Sequence, residues 1–393
     1  MLPWKETSAL AEQRALLAQW EAGSGVSELA RQFGVSRKTV YKRIRRYQCG
    51  DASAVGDRSR APHWRPTRTP VAVEAALVAA KRKKRHLGPK KLLPVLAEQQ
   101  PELRLPSVST AGAILRRHGL VRPSRRVRRT PPWTAPFAHA QAANDVWCVD
   151  FKGWIRTGDG VRCDPLTVSD AYSRFCLACE ALVEPTQRAV QQVLTRVFRQ
   201  YGLPAAIRTD NGSPFASTGL GGLTPLSVWW IKLGIRPERI APGRPEQNGR
   251  HERFHRTLKE ATLQPPKRSQ RAQQRAFNRF RTIYNQQRPH EALGQQPPAR
   301  WYALSPRLWS SRLPSLSYPP EMTIRRVRSN GEIKWRGRKI FLSMALRGEP
   351  VGLAPAADGS WTIHAGPLQI GVLDERTDRV IKTPVNVLPM SSR

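Results

Sequence analysis

Acidic residues are scarce in this 393-residue chain: 29 Asp and Glu stand against 66 Lys and Arg, a net charge of +37. A surface that repels itself this strongly is tolerated where a polyanion neutralises it, which points to nucleic acid. Runs of eighteen or more apolar residues are absent, and the opening "MLPWKETSAL" lacks a signal-peptide core, so no membrane partner and a cytoplasmic location are expected. Five cysteines, at 49, 148, 163, 176 and 179, are too few and too odd in number for a disulfide framework, which implies a reducing compartment. Repeats of solenoid length are missing too. What remains is a chain with an ordinary 39% of hydrophobic residues and a length that suits two to four domains.

The first of these, residues 1–50, carries "VSELARQFGVSRKTVYKRIRRY". Ser27 and Ser36 are placed to cap two helices, with Gly34 and Val35 making the turn between them. On the last helix Val40, Ile44 and Tyr47 fall on one side, leaving Lys38, Thr39, Lys42, Arg43 and Arg46 for DNA. This is a helix-turn-helix pattern, whose final helix would enter the major groove. A second small helical domain is expected over 69–122, with Ser107 or Ser109 capping its last helix and the cluster Lys81 to Arg85 meeting DNA backbone. Residues 123–140 read as an extended basic linker able to follow a groove.

From Asn144 the texture becomes that of an α/β domain, over 141–305. "DVWCVDFKGWI" is a strand covered on both faces, and Asp150 interrupts it at a cost unless something pairs with the carboxylate. "AAIRTDNGSPF" is a short strand ending at Asp210, and "GRPEQNGRHERFHRTLKEA" is a loop running into a helix that carries Glu252. Strands and helices follow in an order that suits a mixed sheet. Read alone, Glu252 with Arg256 one turn on is a surface ion pair; Asp150 and Asp210 in matching contexts reverse that. His251 and His255 at i and i+4 could share a metal, but no third ligand is evident near them in sequence. Cys176 and Cys179 lie on a strand pattern that sends them to opposite faces, for packing. Asp170 in "SDAYSR" is expected to order a turn, and Asp145 and Asp164 to serve loops or caps.

The motifs "VDFKGW", "IRTDNGSPF", "PGRPEQNGRHERFHRTLKE" and "YNQQRPHEALGQQPPARWY", in this order, resemble the catalytic core of bacterial insertion-sequence transposases of the DDE type, in the retroviral-integrase superfamily. The resemblance implies an RNase-H-like core in which Asp150, Asp210 and Glu252 are the catalytic and metal-binding acids, holding two Mg²⁺ ions for which Mn²⁺ can substitute. It further implies binding of terminal inverted repeats, 3′-end cleavage, strand transfer into target DNA, and a homodimer or larger assembly at the bacterial nucleoid. Asp210 and Glu252 lie 42 positions apart, longer than is common in the family, and the surplus is expected in "ASTGLGG". Asn248, His255, Arg256 and Lys259 share the Glu252 face of the helix, where Asn248, Arg256 and Lys259 would meet DNA, while Gly243, Pro245 and Gly249 let the preceding loop approach it. Phe277, Phe280, Ile283 and Tyr284 form the buried stripe of the next helix, and Arg288, Pro289 and His290 close the core.

A Pro- and Ser-rich linker is expected over 303–320, followed by an all-β domain over 321–380, similar to an SH3-like barrel, whose Arg325, Arg326, Arg328, Lys334, Arg336, Arg338 and Lys339 make one end basic. Two other functions compete with transposition: a DNA-binding regulator with a decayed core, and an RNase-H-like nuclease that hydrolyses without joining.

Overall fold

The computed structural model describes residues 9–49, 68–121, 137, 139–240, 249–356 and 359–383, in two compact units, Met1–Thr69 and Pro70–Arg393. Asn248, Gly243, Pro245 and nearly all of the basic linker lie outside the described residues.

The first unit holds helices α1 (Ala9–Glu21), α2 (Val26–Gln32) and α3 (Arg37–Gln48), closed around Leu16, Leu17, Leu29, Val40 and Ile44. Ser36 caps α3, its Oγ accepting from the Thr39 N–H at 3.2 Å. Two expectations change here. α2 starts one residue earlier than Ser27, so Gly25 occupies the cap position and no side chain caps it. Tyr47 is 39% exposed because its hydroxyl reaches back to donate to Glu21 Oε1 at 2.6 Å instead of entering the core. Lys38 and Lys42 are exposed on α3, and Thr39, Arg43 and Arg46 are half-buried.

The second unit begins with α4 (Val71–Lys83), α5 (Pro89–Gln99) and α6 (Val108–Arg117), which share Leu77, Leu92, Leu96, Ile114 and Leu115. Ser107 caps α6 through the Thr110 N–H at 3.3 Å. Ion pairs from Lys90 to Glu291 and from Glu98 to Arg300 join α5 to the α/β domain.

That domain runs β1 (Val146–Phe151), β2 (Ile155–Arg156), β3 (Arg162–Asp170), β4 (Cys176–Leu182), α7 (Gln187–Tyr201), β5 (Ala206–Thr209), α8 (Pro225–Lys232), β6 (Arg236–Arg239), α9 (Gly249–Thr262) and α10 (Gln270–Gln287). The sheet is mixed. β3 lies antiparallel between β1 and β4, while β1, β5 and β6 run parallel. Alternation along β1 sends Trp147 and Val149 into the core shared with α7 and α8, and so turns Cys148 and Asp150 to the opposite face. On that opposite side, Phe254 and Leu258 of α9 pack with Phe277, Phe280 and Tyr284 of α10.

Ile283 is 37% exposed rather than buried, because it lies away from the i, i+3, i+7 stripe formed by the other three. Cys176 and Cys179 also depart from expectation. A register shift between Val168 and Ser169 disturbs the strict alternation of β4, and both thiols end in the cluster under α9 and α10. Burial pushes the Cys176 thiol up to about 12, so it stays protonated and inert. Asn285 pins α10 to β4, accepting from the Cys176 N–H at 2.8 Å and donating to its carbonyl at 2.9 Å.

Residues 303–320 are irregular but docked. Ser305 Oγ donates to the Leu203 carbonyl, Arg307 to the carbonyls of Pro204, Leu233 and Gly234, and Trp309 packs on Phe198 and Trp229. Beyond them lie β7 (Thr323–Arg326), β8 (Glu332–Trp335), β9 (Arg338–Phe341), β10 (Pro350–Pro355), β11 (Ser360–Ala365), β12 (Leu368–Asp374) and β13 (Arg379–Lys382). Five of these form an antiparallel sheet in the order β13-β12-β11-β10-β7, and β8 with β9 forms a hairpin. The all-β class is as expected, with two sheets in place of one closed ring. Within the basic end, Arg336 pairs with Glu375 and Arg338 with Asp378.

The long "ASTGLGG" segment lies between β5 and α8. Leu220 and Leu223 from this stretch, with Val228 and Ile231 from α8, join Ile333, Leu346, Val351 and Leu373 of the β region in one apolar cluster. Gly222 has φ +64°, and a Cβ there would fall 2.1 Å from the guanidinium of Arg239, which donates to the Gly221 carbonyl at 2.6 Å. Only glycine fits that turn.

Candidate active site

β1 and β5 are paired in parallel with Cys148 opposite Arg208. Two residues further along each strand stand Asp150 and Asp210, so the pairing sets two carboxyl-bearing positions side by side on the face turned toward α9. Asp210 leaves β5 and accepts from the Gly212 N–H at 3.1 Å. Its carboxyl is raised above the usual range, first by burial and then by the charge of Asp150, with Gly212 and His251 opposing. Two acids that resist ionising together form a place where a cation is favoured.

β3 supplies the other wall. Thr167 lies opposite Asp150 in the antiparallel register, and its hydroxyl is 3.1 Å from the Asp150 carbonyl oxygen and 2.8 Å from Nε2 of both His251 and His255. A hydroxyl has one proton to donate and can accept two. When that proton goes to the carbonyl, both imidazoles donate from Nε2 and each keeps a lone pair on Nδ1. Burial lowers His251 to about 4 and His255 to about 2, so both are neutral at neutral pH. Together with Asp150 they are the cluster of three metal-capable side chains found among the described residues, with donor atoms within 4.8 Å of one another.

The third metal-capable side chain that the local sequence around His251 and His255 failed to show is Asp150, delivered by the sheet. The i, i+4 histidine spacing was the legible signal; the partner was not, because it lies about a hundred positions upstream and needs the β1–β3 register to reach α9.

Glu252 occupies the first turn of α9 and is exposed, as are Arg256 and Lys259. His255 differs from them: it is 6% exposed and belongs to the buried side with His251, Phe254 and Leu258. Asp150 and Asp210 are thus adjacent, the two histidines join Asp150, and Glu252 projects from the solvent side of the same helix.

The remaining carboxylates are structural. Asp170 is buried and accepts from the Asn144 N–H and from both the N–H and hydroxyl of Ser173, which orders the β3–β4 turn. Asp145 accepts from the Gln141 and Ala142 N–H groups, and Asp164 pairs with Arg162. Glu238 on β6 had not been singled out. Burial works against its charge, but hydrogen bonds from Arg236 and Arg208, with His139 nearby, hold it below the usual carboxylate range. Arg208 is only 3% exposed, and this pairing fixes β5 two residues before Asp210.

Family comparison agrees with this arrangement of parts. Residues 140–245 and 233–298 match integrase core domain models, and residues 322–380 match the C-terminal domain of IS481 family transposases. Homeodomain-like models match residues 8–55 and 39–115. The chain thus carries regions similar to an integrase core, to homeodomain-like DNA-binding domains and to the C-terminal domain of IS481 family transposases. A protein of insertion element IS407 from Burkholderia multivorans is 31% identical over 164 residues, covering 41% of this chain and 56% of that one. A protein of IS476 from Xanthomonas euvesicatoria is 29% identical over 185 residues, covering 47% and 51%. The chain thus spans about half the length of these curated relatives. The HTLV-2 integrase catalytic core, solved with magnesium, is similar at 16% identity and a TM-score of 0.33, covering 42% of this chain and 99% of that one. No helix among the described residues is long and apolar enough to cross a membrane.

Proposed function

We propose that the chain is a DNA transposase that binds the terminal inverted repeats of its element and catalyses metal-dependent 3′-end cleavage and strand transfer, with Asp150, Asp210 and Glu252 as its catalytic acids. The observation that supports this reading is that Asp150 on β1 and Asp210, just past the end of the parallel neighbour β5, lie close enough for burial and the charge of Asp150 to raise the Asp210 carboxyl. Such a pair suits hard divalent cations, Mg²⁺ or Mn²⁺. Asp150, Asp210 and Glu252 would hold such ions, which would supply activation of water or a 3′-hydroxyl and stabilisation of the leaving oxygen in an in-line displacement at phosphorus.

The chain's own residues do the rest. Arg208, locked to Glu238, keeps Asp210 in register. Thr167 holds the neutral imidazoles of His251 and His255 against Asp150, where they can complete or buttress its coordination. Glu252 follows His251 directly in the first turn of α9 and is the third acid of this reading. Arg256 and Lys259, exposed one and two turns on, hold DNA phosphates beside the acids, as does Asn248 ahead of them. Lys38, Thr39, Lys42, Arg43 and Arg46 of α3 read the end sequence in the major groove. Holding two ends at once calls for a homodimer or larger assembly on double-stranded DNA, within the bacterial nucleoid.

The test is strand transfer of labelled terminal-repeat DNA with Mg²⁺. Wild type should give joined product, while Asp150→Asn, Asp210→Asn and Glu252→Gln should each lose about 10³-fold or more, as removal of several kcal/mol of metal-borne stabilisation requires. Product from Asp210→Asn at the wild-type level would sink the assignment of the acids. Cleaved but unjoined DNA would favour the hydrolytic nuclease.

A further inference from the structure

A second polar depression lies on the other flank of α9. It is a cavity of about 290 Å³ walled by Lys91 of α5, Arg174 of the β3–β4 turn, Arg250 and Arg253 of α9, and Arg288 just past α10. Five cations from four separate segments converge there. Glu291 is the acid in its wall, and it is already engaged by Lys90. Among the described residues no carboxylate forms an ion pair with any of the five.

Like charges gathered in a partly desolvated space are unfavourable unless an anion joins them. The side chains bear the marks of that deficit. Arg288 has a buried Nη1 with no hydrogen-bond partner, and the Nε2 of His290 in the same wall is likewise buried and unpartnered. Arg174 sits at φ 65°, a conformation in which glycine would be unstrained, yet a long cationic side chain is held there. Burial and the nearby Arg288 lower the Lys91 ammonium to about 8, against the opposing charge of Glu291 and with Arg256 adding to the repulsion.

We propose that this cavity binds a single backbone phosphate of the element's end DNA, clamping the second helical domain onto the catalytic core. Several guanidiniums and an ammonium around a cavity of this size suit a tetrahedral dianion or a phosphodiester. DNA is the favoured source because Arg253 stands exposed at the rim and Arg256 and Lys259 continue along the same helix. This rests on the proposed transposase reading and adds to it a phosphate site separate from the acids.

The experiment uses the full chain and a duplex from the inverted repeats flanking the gene, in which each phosphate in turn is replaced by a neutral methylphosphonate. One position should weaken wild-type binding about tenfold or more. In Lys91→Gln and Arg288→Gln that same substitution should have no further effect, while other positions keep theirs. Should Arg288→Gln fail to fold, Lys91→Gln, whose side chain belongs to the second helical domain, carries the test alone. Equal loss at every position in both variants would overturn the proposal, leaving only diffuse attraction. If inorganic phosphate at matched ionic strength raises the melting temperature of wild type but not of Lys91→Gln, and no DNA position couples, the cavity is a free-phosphate site and the DNA assignment falls. A coupled phosphate in a protein that never joins ends would overturn the transposase reading and leave the clamp standing.

Discussion

The two flanks of α9 are opposite in charge and alike in being unbalanced. On one side Asp150 and Asp210 crowd together with neutral histidines; on the other, five cations surround a cavity with one acid in its wall. A fold optimised for its own stability would let these groups meet each other across the helix. Keeping them apart leaves each side ready for an external ion of the opposite sign, and a single 14-residue helix places both.

Three measurements would sharpen or break that contrast. The largest effect concerns pH in the presence of chelator. His251 has a folded pKa of about 4 against an ordinary 6.5, so below pH 6.5 the unfolded chain takes a proton that the folded one refuses. Stability contributed by the neutral form is intact above 6.5 and declines as pH falls to about 4, by about 3 kcal/mol for this residue. Urea unfolding across that window should show the decline, and His251→Asn should reduce its slope while His255, lowered to about 2, keeps the remainder; an unchanged slope in the variant would place the titrating groups elsewhere.

Next, Thr167→Val removes the hydroxyl shared by the two histidines. It should cost about 1–3 kcal/mol, since buried imidazole groups lose a partner, and equilibrium unfolding with wild-type stability would show that the hub does not exist. The smallest effect is a gain. Asp210→Asn relieves the repulsion with Asp150, so without divalent ions it should melt a few degrees higher than wild type. Millimolar Mg²⁺ should shrink or reverse the gap by stabilising only the wild type. A variant that melts lower in chelator would mean that the acids do not oppose each other.

How much of this was legible in the sequence follows from the range of the signals. The cap at Ser36, the α7 stripe from Val190 to Tyr201 and the strand ending at Asp210 are written within one or two turns of chain. The mixed sheet and the turn at Asp170 were readable for the same reason. The histidine cluster was half readable: the spacing of His251 and His255 is local, but Thr167 and Asp150 reach them only through strand register. The cationic cavity was unreadable, because "SDAYSR", "RHERF", "RPH" and Lys91 meet only after α5 docks on the core. Cys176 and Cys179 misled because a single register shift overrides the alternation of a strand.

The loop between β5 and α8, long for its kind, inserts Leu220 and Leu223 among side chains from the last seventy residues. α8 buries Trp229 and Trp230 on one side and Val228 and Ile231 on the other. The terminal β region is therefore packed against the α/β domain and is not a tethered arm. A chain cut before Thr323 would leave greasy surface on α8 and on the segment leading out of β5, next to Asp210.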